Sequence, residues 1–361
     1  MKKLTDLCDI LYGYAFDSKC FTEDSSFPQL VRIRDIKRGF SETYYSGEYP
    51  AEYVLTSGDL LIGMDGEFNI ARWKVDGALL NQRICKIVAK EGTNEEYIRF
   101  FLSKYLKKIE EKTSFATVKH LSAKEINRIE IIIPELSKQK TIANSLSKLE
   151  KNIELRKKEL QLLDNLIKAR FVEMFGDPST NPMRWSETTI GDECFYIKDG
   201  PHKSLPDIGK ENGGHPFISV RNIVNGYIDF STARYISDED YANAIKKCHP
   251  EKGDMLYSKG GTTGIAKLID IDEEFANWVH VAVLKFDKSK LNGIFFENML
   301  NGDYCFEQSQ RLTKGIANRD LVLSAMAQIK MYRPPMEIQK QFADFVNQVD
   351  KLKYVTTKSA V

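Results

Sequence analysis

Residues Thr117–Leu146 read TVKHLSAKEINRIEIIIPELSKQKTIANSL, and residues Ala317–Val346 read ANRDLVLSAMAQIKMYRPPMEIQKQFADFV. At a constant shift of 200, Pro134 falls on Pro334, Gln139 on Gln339 and Ala143 on Ala343. Earlier landmarks repeat at smaller shifts: Asp6 and Cys8 with Asp192 and Cys194 at 186, Arg34 with Arg221 at 187, Gly58-Asp59 with Gly253-Asp254 at 195. A shift that only grows along the chain is what two copies of one domain give when the second has gained loop insertions; chance matches scatter.

Each copy has the same coarse reading. Short apolar runs rich in β-branched and aromatic residues, LVRIRDI, DLLIGM and RICKIVA in the first copy and PFISV, DMLYS and HVAVLKF in the second, are broken by Gly-Asp or Asn-Gly and predict strands with tight turns. A helix is expected over Glu95–Glu111. Each copy ends in a strand-like run, IEIIIP or QIKMYRP, stopped by proline, after which a long helix begins. From Glu135 to Phe175 there is neither Gly nor Pro, and Ile142, Leu146, Leu149, Ile153, Leu160, Leu163, Ile167 and Met174 follow a heptad seam with Arg156 and Arg170 interrupting it. At 1.5 Å per residue this is a rod of roughly 60 Å, too long for one globular core to bury. It must pack on another helix, and Ile338, Phe342, Phe345, Val346, Val349 and Leu352 of the second copy supply one.

The expected fold is therefore mixed α/β (α+β), with two repeated domains separated by a long antiparallel helical coiled coil and related by a pseudo-two-fold. The expected boundaries are 1–134 for the first domain, 135–175 for the central helix, 176–182 for a linker, 183–333 for the second domain and 334–361 for a shorter distal helix. The 361 residues, 42% hydrophobic and 29% charged, suffice for these cores. Lys+Arg 52 against Asp+Glu 51 leave a net charge of +1, so any nucleic-acid surface must be a local patch. No apolar run approaches the ~18 residues of a membrane span, and a cytoplasmic protein with no membrane partner is expected. The six cysteines, at 8, 20, 85, 194, 248 and 305, include no Cys-x-x-Cys pair and fit reduced thiols.

No catalytic motif emerges. Gly260-Gly261-Thr262-Thr263-Gly264 has the wrong spacing for a phosphate loop and reads first as a flexible tip. Asn181-Pro182-Met183 lacks the second proline and the aromatic of an adenine-methyltransferase loop and reads as a linker turn; Pro206-Asp207 has no Asp/Glu-x-Lys downstream to complete a nuclease site. The five histidines have no ligand spacing, so no metal site is expected. What remains is basic and amide clusters at corresponding places. Arg32, Arg34, Lys37 and Arg38 surround one acid, Asp35, on an expected strand and its following turn, with Arg32 and Arg34 on one face. In the second copy Lys198, His202 and Lys203 are expected in a Gly-Pro loop, Arg221 and Asn222 at a strand end, and Lys259 before the glycine loop. Arg and Asn have the geometry that reads guanine and adenine edges, and Lys suits phosphates. Singly each reads as a solvated surface charge; recurrence in both copies marks them as a candidate DNA-binding face.

Two globules, each followed by a long helix opened by Pro-x-x-x-x-Gln-Lys (Pro134–Lys140, Pro334–Lys340), together with FVEMFGDPSTNPMRW (171–185), SGDLLIGMDGEFNIARWKVDGALLNQRICKI (57–87) and KGDMLYSKGGTTGIAKL (252–268), resemble the specificity subunit of type I restriction-modification systems over essentially the whole chain. The resemblance implies that each globule is a target-recognition domain reading half of a split double-stranded DNA target. It implies that the helices space the domains and dock two methyltransferase subunits, which bring S-adenosylmethionine and methylate adenine. It implies further that a restriction subunit adds ATP- and Mg-dependent cleavage. The chain itself is then non-catalytic and binds no cofactor. The competing class is a non-catalytic coiled-coil scaffold whose globules bind other proteins.

If the helices act as a ruler, inserting four residues near Glu159, in both helices where the partner helix reaches that level, lengthens the rod by ~6 Å. That matches about two base pairs at ~3.4 Å each. The insertion rotates one domain by about 40° while two base pairs rotate the half-site by about 70°, so the preferred spacer should lengthen by about two with reduced affinity. A spacer library scored by methylation reads this directly; an unmoved optimum with full activity would make the helices a docking platform only.

Overall fold

The computed structural model describes residues 1–66, 68–112, 120–316 and 318–358. The first residues of the repeated stretch, 117–119 and 317, and the end of the expected distal helix, 359–361, lie outside the described residues. The chain divides into two compact units, Met1–Glu154 and Leu155–Val361.

In the first unit, strands Cys8–Tyr12, Ile84–Ala89, Leu60–Gly63 and Ile70–Arg72 form, in that spatial order, an antiparallel sheet. The alternation of Leu61 and Ile62 sends one side chain to each face, so the sheet is buried on both. Ile62 and Ile87 pack against Ile98, Leu102 and Leu106 of helix Glu95–Lys112, while Leu61 and Ile84 pack against Val31, Ile36, Leu55 and Trp73. The helix begins where the Asn94 side chain accepts the Tyr97 N–H at 2.9 Å, with Glu95 and Glu96 at the positive end of its dipole.

The second unit repeats this sheet with Cys194–Asp199, Val281–Phe286, Met255–Ser258 and Ala266–Leu268 in the same order. Its covering helix, Gly293–Asn301, is capped by Asn292, which accepts from the Ile294 and Phe295 N–H groups. A helix at Asp238–Lys247 falls in the segment over which the repeat shift rises from 187 to 195, which accounts for the drift in register. Each unit also pairs its first strand with the strand that ends its globule: Lys2–Lys3 with Glu130–Ile131, and Ser186–Thr189 with Lys330–Arg333.

One expectation fails locally. LVRIRDI is not a strand: Leu30 makes an isolated bridge to Leu79, and Ile33–Asp35 is a single 3-10 turn. Burial of the Asp35 carboxylate, which accepts from the Ser41 hydroxyl at 2.8 Å and pairs with Arg38, draws the chain into that turn.

The long helix runs Leu136–Phe175 and the distal helix Met336–Lys358. Within the second unit they run antiparallel: Phe171 packs edge-on against Phe342 at 5.4 Å, the Arg170 guanidinium sits 5.6 Å over the Phe345 ring, Asp164 pairs with Lys353 at 2.8 Å, and Glu159 accepts from Thr356. Phe171 and Phe175 also meet Phe295, joining the helix pair to the globular core. The heptad seam is covered only toward its end; Leu149 and Ile153 are 57% and 49% exposed. The helix stops at Gly176, whose φ of +76° favours glycine and whose Cβ would strike the Pro182 ring.

The repeated Pro-x-x-x-x-Gln has a structural basis. Gln139 is buried; its amide donates to the carbonyls of Pro134 (2.8 Å) and Gly92 (3.3 Å), and its oxygen accepts the Asn94 N–H at 2.8 Å. Gln339 does the same with Pro334 (2.7 Å), Lys290 (3.2 Å) and Asn292 (2.8 Å). Each amide therefore ties the start of a long helix to the loop that caps the covering helix. Gln339→Leu leaves the buried Pro334 carbonyl and the part-buried Lys290 and Asn292 groups without their partner and should destabilise the second unit by about 1–3 kcal/mol, read as a lower urea midpoint with unchanged slope.

Candidate nucleic-acid interface

In the first unit the 3-10 turn Ile33–Asp35 and the residues beside it line a recess of about 840 Å³ that holds Arg32, Arg34 and Arg38 with Phe21 and Glu42. The Arg34 side chain is 75% exposed and only loosely paired, 3.9 Å from Asp35. Arg32 lies 5.7 Å over the Phe21 ring, a cation–π contact that orients it. Arg38 is tied down further: it neutralises buried Asp35, approaches Glu42 at 3.5 Å and stacks over Phe40. Lys37 is exposed on the turn that follows. Arg32 and Arg34 thus share a recess, but through a tight turn and not through the strand alternation expected from sequence. A neighbouring recess of about 400 Å³ shares Phe21, Arg32 and Arg34 and extends to Asn81, Gln82 and Arg83.

The second unit builds the corresponding place differently. Arg221 sits in the 3-10 turn Val220–Asn222, past the end of strand His215–Ile218, and donates to the Thr232 carbonyl at 2.7 Å. With Ser219, Phe217, Arg234 and Trp278 it lines a recess of about 180 Å³. Three readings from sequence need correction. Asn222 is 1% exposed: it accepts the Ser219 N–H and donates to the Asp229 carbonyl and the Thr232 hydroxyl, so its amide is used in holding the turn. Lys259 is buried between Asp320 at 2.8 Å and Asp199 at 3.6 Å, a partnership that satisfies its charge internally. Lys198 belongs to strand Cys194–Asp199, 5.1 Å from the Tyr196 ring, and not to the loop; His202 and Lys203 do lie in the loop after it and are exposed. None of Lys198, His202 and Lys203 lines the Arg221 recess.

Sequence reasoning missed Arg83, Arg234 and Trp278. Arg83 and Trp278 stand far along the chain from the turns they join, Arg234 follows its turn after a loop, and none belongs to a charge cluster. Among the described residues, no group of three His, Cys, Asp or Glu side chains is placed to hold a metal ion, and no helix is long and apolar enough to cross a membrane. Burial pushes the Cys85 and Cys305 thiols up to about 12, which keeps them protonated and unreactive at neutral pH.

The repeated frame carries an arginine-lined recess in each copy, and comparison with known proteins gives its family. The type I restriction modification DNA specificity domain matches residues 1–165 and again 182–360. The chain belongs to that family and carries its domain twice. It is 27% identical over 379 residues to the type I restriction enzyme EcoBI specificity subunit of Escherichia coli, spanning 96% of this chain and 78% of that protein. It is 22% identical to the MjaVIII specificity subunit of Methanocaldococcus jannaschii, spanning 85% and 76%. The S subunit of the type I system from M. genitalium has the same fold, with a TM-score of 0.60 over 99% of this chain and 91% of that one at 15% identity.

The two halves of the Arg221-Asn222 pair should separate experimentally. Asn222→Ala orphans buried partners and should cost about 2–3 kcal/mol of stability, whereas Arg221→Ala should cost less than ~1 kcal/mol. Thermal or urea unfolding checks both, and equal losses would contradict the assignment.

Proposed function

We propose that this chain is the sequence-reading subunit of a type I restriction-modification enzyme, each unit reading one half of a bipartite double-stranded DNA target. The observation that carries this is the family's specificity domain present twice on one frame, each copy presenting an exposed arginine, Arg34 or Arg221, on the equivalent 3-10 turn. Two separated half-sites need two similar readers joined stiffly, and a 40-residue helix without Gly or Pro supplies stiffness that a flexible linker lacks.

The chain performs no chemical step in this reading and binds no cofactor. Two methyltransferase subunits bring S-adenosylmethionine, and a restriction subunit brings ATP and Mg. The exposed Leu155, Leu162 and Leu166 on the long helix suit the docking of such subunits. The net charge of +1 fits a reader whose partners supply much of the phosphate neutralisation.

A bipartite duplex probe, incubated with the chain and its methyltransferase subunits, should shift in a salt-dependent manner and be methylated at a preferred sequence. Binding to proteins with no sequence-selective DNA binding would favour the scaffold class instead. Arg34→Ala and Arg221→Ala should each relax one half-site and leave the other, at a cost of roughly 1–3 kcal/mol where the arginine reads a base. Equal loss on specific and random DNA would assign that arginine to phosphate.

A further inference from the structure

One backbone node recurs in both units with different side chains. In the first, the Met64 N–H donates to the Arg83 carbonyl at 2.9 Å, and the Leu121 N–H donates to the Met64 carbonyl at 2.7 Å. In the second, Lys259 donates to His280 at 2.8 Å and Leu321 to Lys259 at 2.7 Å. On either side, Gly63 faces Ile84 as Ser258 faces Val281, and Asp65 bridges His120 as Gly260 bridges Asp320. Backbone pairing therefore equates Asp65 with Gly260, Arg83 with His280, and His120 with Asp320.

The side chains at those places have exchanged chemistry. The Asp65 carboxylate takes the Arg83 guanidinium on one oxygen and the His120 ring on the other. In the second unit the acid has moved to Asp320, and position 260 is glycine because a Cβ there would run into the His280 ring. Two places in the frame keep their residues: Gln139 and Gln339 make the same bonds, and Gly13 and Gly200 each press against the backbone of an asparagine, Asn81 or Asn277.

Arg83 reaches the recess of its own unit, and His280 packs on a residue that lines the other. Arg83 lines the recess shared with Arg32 and Arg34, is half-exposed, and holds a left-handed φ of +69° that a non-glycine residue adopts only under constraint. The His280 ring lies 4.6 Å from Trp278, which lines the Arg221 recess.

We propose that Arg83 and His280 are equivalent specificity-determining residues, each reading a base edge in one half-site, with Asp65 a positioning residue that aims the Arg83 fork. The inference rests on the DNA-reading function proposed above. An arginine fork matches the O6 and N7 acceptors of guanine, so the half-site read by the first unit contains a guanine at the Arg83 position.

The test uses the full chain assembled with its methyltransferase subunits on a randomised bipartite duplex, with methylated molecules sequenced. Arg83→Ala and Arg83→Lys should each reduce selection at one guanine by about 5- to 140-fold, the discrimination of a bidentate pair. His280→Ala should relax one position in the other half-site, and Asp65→Asn should weaken the Arg83 guanine and no other base. In every variant the untouched half-site reports that the chain is folded and assembled. Full selectivity in Arg83→Lys, or an equal loss on all sequences in Arg83→Ala, would make Arg83 a phosphate contact and overturn the inference. An unsubstituted complex that selects no bipartite sequence overturns the proposed function itself.

Discussion

A buried glutamine amide holds each module to its helix. A carboxamide offers two donors and an acceptor on one rigid plane, and Gln139 uses all three on backbone groups from three places: the proline that ends the last strand, the loop before the covering helix, and that helix's capping residue. These bonds are partly shielded from water, and a buried donor or acceptor left unpaired costs as much as a good hydrogen bond gives. The first turn of the long helix thus leaves its module in one fixed direction, and Gln339 enforces the same exit on the second copy. The adjoining proline stops the strand and lacks the N–H that would otherwise need a partner at that junction.

With the exit fixed, recognition surfaces can differ between copies without disturbing the frame. The four-stranded sheet is buried on both faces in each unit, so its strands tolerate few changes, whereas the turns packed over one face carry exposed cations. The two recesses show how far this goes. One holds three arginines beside acids and an aromatic ring; the other places two arginines around a tryptophan. The buried ends of the two 3-10 turns, Asp35 and Asn222, do the same structural work with different chemistry, a carboxylate neutralised by Arg38 in one and a neutral amide in the other.

Much of this was legible because it is local or periodic. DLLIGM and DMLYS become buried strands because alternating apolar residues serve both faces of a covered sheet, and the 40-residue helix follows from the lack of Gly and Pro. The repeat by itself pairs Arg34 with Arg221. LVRIRDI carries the same apolar alternation but turns at Ile33, because the nearby Asp35 finds its partners six residues on, in Ser41, and in Arg38.

What the chain determined by itself was the two-copy architecture, the strands, the helices and the recurring Pro-x-x-x-x-Gln motif, since each shows as a local pattern or as a repeat along the chain. Tertiary structure alone decided which polar side chains are spent inside and which reach a recess. Lys259 is buried because Asp199 and Asp320, each about 60 positions away, converge on it, and Asn222 because the Asp229–Thr232 loop folds back over its amide. Arg83 joins the arginines near residue 34 only through sheet pairing that brings residues 79–84 beside the first turn. Desolvation of a charge or amide is set by whatever surrounds it in space, and a sequence records neighbours along the chain.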